Sequence, residues 1–163
     1  MEFNKLLAIT LSILPAMTMA DQKNGQIEIK KIAENVYLHT SFKKYPNYGY
    51  YPSNGLIVIN NADAYIIDTP WPESDTNKLL QWIKDSGFRL RASLSTHFHS
   101  DRTAGIQQLN HTSVNTIASK QTNQILKSMG AQAARSEFSS SNFSLLDDKI
   151  EVFYPGAGHT RDN

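Results

Sequence analysis

Six consecutive residues carry the densest chemistry in this 163-residue chain: His97, Phe98, His99, Ser100, Asp101 and Arg102. Histidines at i and i+2, with a carboxylate two positions further on, can converge from a single loop. Neutral imidazole is a good zinc ligand, with Zn–N near ~2.0 Å, and carboxylate oxygen is a second choice. The chain has five histidines, and two of them fall within these three positions beside an acid. The same residues can also serve as a polar loop without a metal. A third histidine, His159, lies in Gly156-Ala157-Gly158-His159-Thr160, directly after an apolar stretch. Small residues let the backbone bend there and approach a partner closely. His97, His99 and His159 would make three protein ligands with an open position, which defines a catalytic zinc site; a structural site is closed by four. As an alternative, His159 can hydrogen-bond its own turn. His39 and His111 read as structural.

Other catalytic designs find less support. No serine sits in a G-x-S-x-G elbow, and Ser119-Lys120-Gln121-Thr122 is not S-x-x-K. Phosphate-loop and dinucleotide motifs are absent. With no cysteine, neither a thiolate nucleophile nor a cysteine zinc site is possible within the chain.

The elements that must position these residues follow from the hydrophobic pattern. Gln26 to Ile32 and Asn35 to Thr40 read as strands. Phe42 to Asn54, rich in Tyr, Pro, Gly and Asn, reads as a loop. Gly55 to Ile59 and Ala64 to Asp68 predict a hairpin of buried strands. A helix is expected from Ser74, as its cap, to Ser86, with Gly87 ending it and Leu79, Leu80, Trp82 and Ile83 forming its apolar face. Arg89 to Ser95 reads as a strand feeding the polar loop Thr96 to Arg102. The candidate ligands therefore sit at a strand's C-terminal end, where α/β enzymes place sites. Beyond it we expect a helix over Thr103 to Leu109, a strand over Val114 to Ala118 and a helix over Ser119 to Met129. Ser136 to Asn142 reads as a loop, and Phe143 to Tyr154 as a hairpin turning at Asp147-Asp148. The pattern predicts a mixed α/β domain with a helix-covered sheet.

Composition bounds the function. Hydrophobic residues make up 40% and charged residues 19%, so a packed core is expected rather than disorder. The net charge of +1, without basic clusters, argues against nucleic acid or an anionic membrane as a partner. Residues 1–20 read as a signal peptide. Leu6 to Leu14 is an apolar run, Pro15 breaks it, and Thr18-Met19-Ala20 offers a small-x-small cleavage site before Asp21. The run is shorter than the about 20 residues that span a bilayer, so no membrane anchor is expected.

The segments His97-Phe98-His99-Ser100-Asp101 and Gly156-Ala157-Gly158-His159-Thr160-Arg161-Asp162-Asn163 resemble the class B, zinc-dependent β-lactamases of the imipenemase type. Asp68-Thr69-Pro70 and Lys149-Ile150-Glu151-Val152-Phe153-Tyr154-Pro155-Gly156 are similar to the same family. The H-x-H-x-D motif by itself is shared with thiolesterases and nucleases of the wider superfamily. Arg102 stands where thiolesterase-like relatives carry another histidine, a departure that favours the lactamase branch.

The resemblance implies an αββα sandwich with the site along one edge, and residues 21–163 as its N-terminal part. It implies Zn2+, two ions per full-length domain, the first held by His97, His99 and His159. Asp101 would be one ligand of the second and would orient the attacking water. The remaining ligands of that site would lie beyond Asn163. It implies hydrolysis of the β-lactam amide bond of carbapenems, cephalosporins and penicillins by metal-bound hydroxide, in a periplasmic protein expected to be a monomer at full length. Phe42 to Asn54 would correspond to a mobile hairpin loop over the substrate, with Tyr48 and Tyr50 as apolar cover. Asp68 is a candidate acceptor for a ligand histidine's free N–H, or else a turn-capping Asp. This polypeptide alone is expected to fold poorly and turn over weakly. Hydrolysis of thioesters or phosphodiesters, and zinc binding without catalysis, stay open as other readings.

Overall fold

Seven strands, hydrogen-bonded in the order in which the chain makes them, form one sheet in the computed structural model, which describes residues 25–146 and 149–163. The expected signal peptide lies outside the described residues. The strands are β1 (Glu28–Ala33), β2 (Val36–Tyr45), β3 (Gly49–Asn60), β4 (Asp63–Ile67), β5 (Arg89–Ser95), β6 (Asn115–Ser119) and β7 (Ser136–Phe138). The first four pair antiparallel, and β4 to β7 pair in parallel. Hairpins link the antiparallel strands, whereas each parallel pair needs a crossover. The first crossover is α1 (Glu73–Asp85). The second holds α2 (Ser100–Thr103) and α3 (Ile106–Leu109), and the third holds α4 (Lys120–Ser128).

Period-two alternation decides the two faces of the sheet. Ile57, Ile59, Ala64 and Ile66 point to one side and meet Leu79 and Ile83 of α1. Further along the same side, Ala118 meets Ile106 of α3 and Leu126 of α4. The opposite side carries Tyr65, Ile67, Ala92, Leu94 and Ile117. A second, two-stranded sheet of β8 (Asn142–Leu145) and β9 (Ile150–Phe153) packs there through Phe143, Leu145 and Val152. Tyr37 meets Trp82 edge to face at 5.0 Å, so β2 also rests on α1.

Several boundaries differ from the sequence expectation. The stretch Phe42 to Asn54 is not a loop but the far half of the β2–β3 hairpin, paired through Tyr45↔Gly49. Pro46, Asn47 and Gly49 make one tight reversal, where Asn47 (φ 67°) and Gly49 (φ 80°) take left-handed backbone, while Pro52 and Asn54 lie within β3. The tyrosines on either side suit strands and pair across them, Tyr45 with Tyr51 at 5.5 Å. Helix α1 starts at Glu73 after Pro72, not with Ser74 as cap: proline's fixed φ (−76°) leads straight into the first turn, and no side chain caps it. Gly87 ends it as expected, at φ 79°. Its N–H donates to Lys84 O and the N–H of Phe88 to Ile83 O, a Schellman pair.

Helical turns begin at Ser100, inside the expected polar loop, and break at Ala104-Gly105. Part of the Ser-rich stretch Ser136 to Asn142 forms β7, because pairing with β6 uses main-chain groups whatever the side chains. The helix expected from Ser119 is α4, and Ser119 lies just before it as its cap, accepting the N–H of Thr122 at 3.0 Å.

Candidate metal centre

Strand β5 delivers the site. Its last residue, Ser95, is followed by Thr96, whose N–H donates to Asp68 Oδ1 at 2.7 Å and whose hydroxyl donates to Asp68 Oδ2 at 3.0 Å. Asp68 sits just past β4, in left-handed backbone (φ 64°) that Asp tolerates, and its own N–H donates to Leu94 O. The ends of the neighbouring strands β4 and β5 are thus locked by one carboxylate. Burial pushes the Asp68 carboxyl up to about 6; the Thr96 N–H and the Arg102 charge pull the other way and lose. His39 closes the layer behind it. Its Nε2–H donates to Asp68 O at 2.9 Å, and burial holds the imidazole down at about 4, hence neutral near pH 7. His39 is structural, as expected. His111 lies exposed beyond α3.

Three histidines predicted from distant parts of the sequence meet here. The ring centroids of His97 and His99 are 4.9 Å apart, those of His97 and His159 5.2 Å, and those of His99 and His159 4.9 Å. One ring nitrogen from each lies within 4.8 Å of the other two, and His159 Nε2 approaches His99 Nδ1 to 3.1 Å. Three zinc–nitrogen bonds of about 2.0 Å in a tetrahedral array place nitrogens about 3.3 Å apart, so the cluster is near the size a zinc ion needs.

A buried orphan atom tests the fit. His97 is 5% exposed, and its Nε2 has no hydrogen-bond partner. Its Nδ1 lies 3.1 Å from Thr96 Oγ1. That hydroxyl already donates to Asp68, so it accepts from Nδ1–H, and the lone pair of His97 is left on Nε2. An unpartnered buried acceptor is costly in a protein interior and is satisfied by a cation. Burial, with the charges of His99 and Arg102 nearby, also holds His97 below its ordinary range, so it stays the neutral ligand a metal requires.

Asp101 stands outside this cluster. Its Oδ2 accepts Ser53 Oγ at 3.0 Å and pairs with Arg102 at 3.3 Å, which leaves Oδ1 available among the described residues. Arg102 also faces Asp68 Oδ2 at 3.5 Å and donates to Asn54 O. One guanidinium therefore braces both carboxylates and the base of the hairpin. Asp68 does not contact a ligand histidine directly, contrary to the direct acceptor expected; Thr96 is interposed. Tyr48 stands at the hairpin tip, 76% exposed. Tyr50 is half-buried on the face of β3 opposite Ser53; a Cβ on Gly25 would strike its ring, and Lys44 Nζ lies 5.7 Å from the ring centre.

No protein-family model matches the chain. It is 42% identical, over 98% of its length, to a metallo-β-lactamase type 2 of Pseudomonas aeruginosa, of which it covers 65%. Among solved structures it superposes on TMB-1 with a TM-score of 0.82 at 50% identity, and on DIM-1 metallo-β-lactamase exposed to ceftazidime with 0.81 at 46%. In both cases 85% of this chain and 63% of the other are covered.

Along nearly its whole length the chain is similar to metallo-β-lactamases. It spans 65% of the length of the curated relative above. The three histidines form a group that could hold a metal ion, and the mixed α/β architecture is that of these relatives.

Sequence reasoning passed over Thr96, Ser53 and Asp162. Thr96 had one available signal, its place immediately before a candidate ligand. Ser53 and Asp162 had none, because their partners are remote: Asp101 is 48 positions from Ser53, and Thr122 is 40 from Asp162.

Proposed function

We propose that the protein containing this chain is a zinc-dependent hydrolase that opens the amide bond of β-lactam antibiotics, carbapenems, cephalosporins and penicillins among them, and so confers resistance. The observation that carries this is the unpartnered Nε2 of His97, aimed from a buried ring, within the cluster completed by His99 and His159. These three residues would hold the first zinc, and Asp101 would contribute to a second. Bound zinc supplies Lewis acidity, which makes water acidic enough to serve as a nucleophile near neutral pH.

The chain's own residues do the rest. Asp68 and Thr96 fix the tautomer and orientation of His97. Ser53 and Arg102 hold Asp101 by one oxygen, so the other can orient water or accept its proton. Tyr48, exposed at the hairpin tip, and Tyr50, half-buried on β3, would give apolar cover to a bound substrate. Export to the periplasm belongs to the same proposal and rests on residues 1–20. No helix among the described residues is long and apolar enough to cross a membrane.

The test is imipenem hydrolysis by the full-length protein with and without chelator. Turnover that chelator abolishes and zinc restores is the expected result. A folded, zinc-loaded protein that leaves imipenem and nitrocefin intact would sink the proposal in favour of another hydrolase substrate or a binding role.

A further inference from the structure

Among the described residues, the segment after β9 that carries His159 has few polar ties outside itself. Gly158 N–H donates to Thr160 O and Asn163 O, Thr160 N–H to Asn163 Oδ1, and Tyr154 Oη to Arg161 O. All of these close the segment on itself. At its start Tyr154 N–H donates to Ser141 O at 2.8 Å; beyond that and the approach of His159 to His99, the hydrogen bond among the described residues that ties the His159 turn to another element is Thr122 Oγ1 to Asp162 Oδ2, 2.8 Å. Both partners are buried, Asp162 at 3% exposure and Thr122 at 0%.

We propose that Asp162 is a positioning residue for the metal centre: by accepting the Thr122 hydroxyl it ties the His159 segment to the head of α4 and so sets His159 against His97 and His99. The proposal rests on the zinc reading above.

The point of attachment explains why this bond, and not another, sets the ligand. Thr122 is in the first turn of α4, and its hydroxyl and N–H both meet Oγ of the cap residue Ser119. Ser119 is also the last residue of β6. In the parallel register of β5 with β6, Ser95 is level with Ala118. Ser119 is therefore level with Thr96, one residue before His97. Through Ser119, Thr122 and Asp162, the third ligand is referenced to the same edge of the sheet as the first two. The path from sheet to ligand is short on both sides: Thr96 to His97 on one, and Asp162 to His159, three residues apart, on the other.

The chemistry suits a tie rather than filler. The first turn of α4 has no acidic side chain of its own, so the Asp162 carboxylate is the anion its N-terminal dipole meets. The other carboxylate oxygen, Oδ1, is buried without a partner. A half-satisfied buried carboxylate is a poor way to gain stability alone. It is a good way to hold a loop in one place.

The experiment measures zinc affinity by chelator competition, and the absorption spectrum of the cobalt-loaded protein, in the full-length protein and its variants. Thr122→Val and Asp162→Ala are each expected to weaken zinc binding about 10-fold, as outer residues of metal sites do, and to alter the cobalt spectrum. The double variant should be no weaker than either single one, because one bond is lost in all three. Thr122→Ser and Asp162→Asn, which keep the donor and the acceptor, should bind as the parent does. Leu126→Ala, which loosens the buried face of α4 and leaves this bond intact, is the stability control. If Asp162→Ala does not fold, Thr122→Val decides. The proposal is overturned if Thr122→Val binds zinc like the parent, or if Leu126→Ala weakens binding as much. A parent protein that binds no zinc at these histidines would overturn both this and the proposed function. Zinc binding with the expected variant pattern but no β-lactam turnover would overturn the function alone.

Discussion

The hydroxyl of Thr96 stands 3.1 Å from Nδ1 of His97 while donating to Asp68 Oδ2 at 3.0 Å, so a carboxylate orients a candidate ligand histidine through one intervening side chain. Thr96→Val removes both bonds and keeps the shape. It should lower zinc affinity about 10-fold or more, read by chelator competition, while Thr96→Ser retains most of it. Equal affinity in Thr96→Val and the parent would refute the relay.

Removing the brace between the two carboxylates should cost more than a surface ion pair. Arg102 is 23% exposed at its side chain and Asp68 8%, so their attraction is only partly screened. Arg102→Ala leaves Asp68 and Asp101 without their cation and frees the hairpin base at Asn54. A stability loss of about 2 kcal/mol is expected in urea unfolding, with loss of zinc stoichiometry before loss of fold. Unchanged stability and metal content would count against it.

Acid should act on His39 with a definite sign. Its folded pKa, about 4, lies below the ordinary value of 6.5, so the unfolded chain takes the proton first. The stability this group contributes is fully present above pH 6.5 and is lost as pH falls through 4. The span of about 2.5 units corresponds to about 3 kcal/mol. Asp68, raised to about 6 from 3.8, works in the opposite direction and gains stability as pH falls across the same window. The parent should therefore vary little between pH 6 and 4, whereas His39→Gln, freed of the first effect, should become more stable relative to it. Unfolding midpoints of both proteins at pH 6.5 and 4 check this, and parallel behaviour would contradict it.

Gly55 is required by close approach, not by backbone angle. A Cβ there would meet Ile67 O at 2.6 Å and press on the His39 ring. Gly55→Ala should destabilise by about 3 kcal/mol through overpacking at a layer that cannot shift. A thermal melt within a degree of the parent would show the layer to be softer than it looks.

Much of this protein is legible from its sequence because the relevant signals are local. The buried hairpin at Gly55–Ile59 and Ala64–Asp68, the strand Arg89–Ser95 and the helix after Ser119 all follow from patterns within a few residues. His97, His99 and His159 stand out by residue type and spacing, since few side chains can bind a metal. What the tertiary structure alone decided is which remote groups hold those ligands. Ser53 meets Asp101, Asp68 meets Thr96 and Asp162 meets Thr122 only because strands separated by tens of residues end at one edge of the sheet. A hydroxyl or carboxylate carries no mark in sequence of the partner it will find. The Phe42–Asn54 stretch shows the same limit from the other side: its turn residues read as a loop, and cross-strand pairing, a non-local interaction, made it a hairpin.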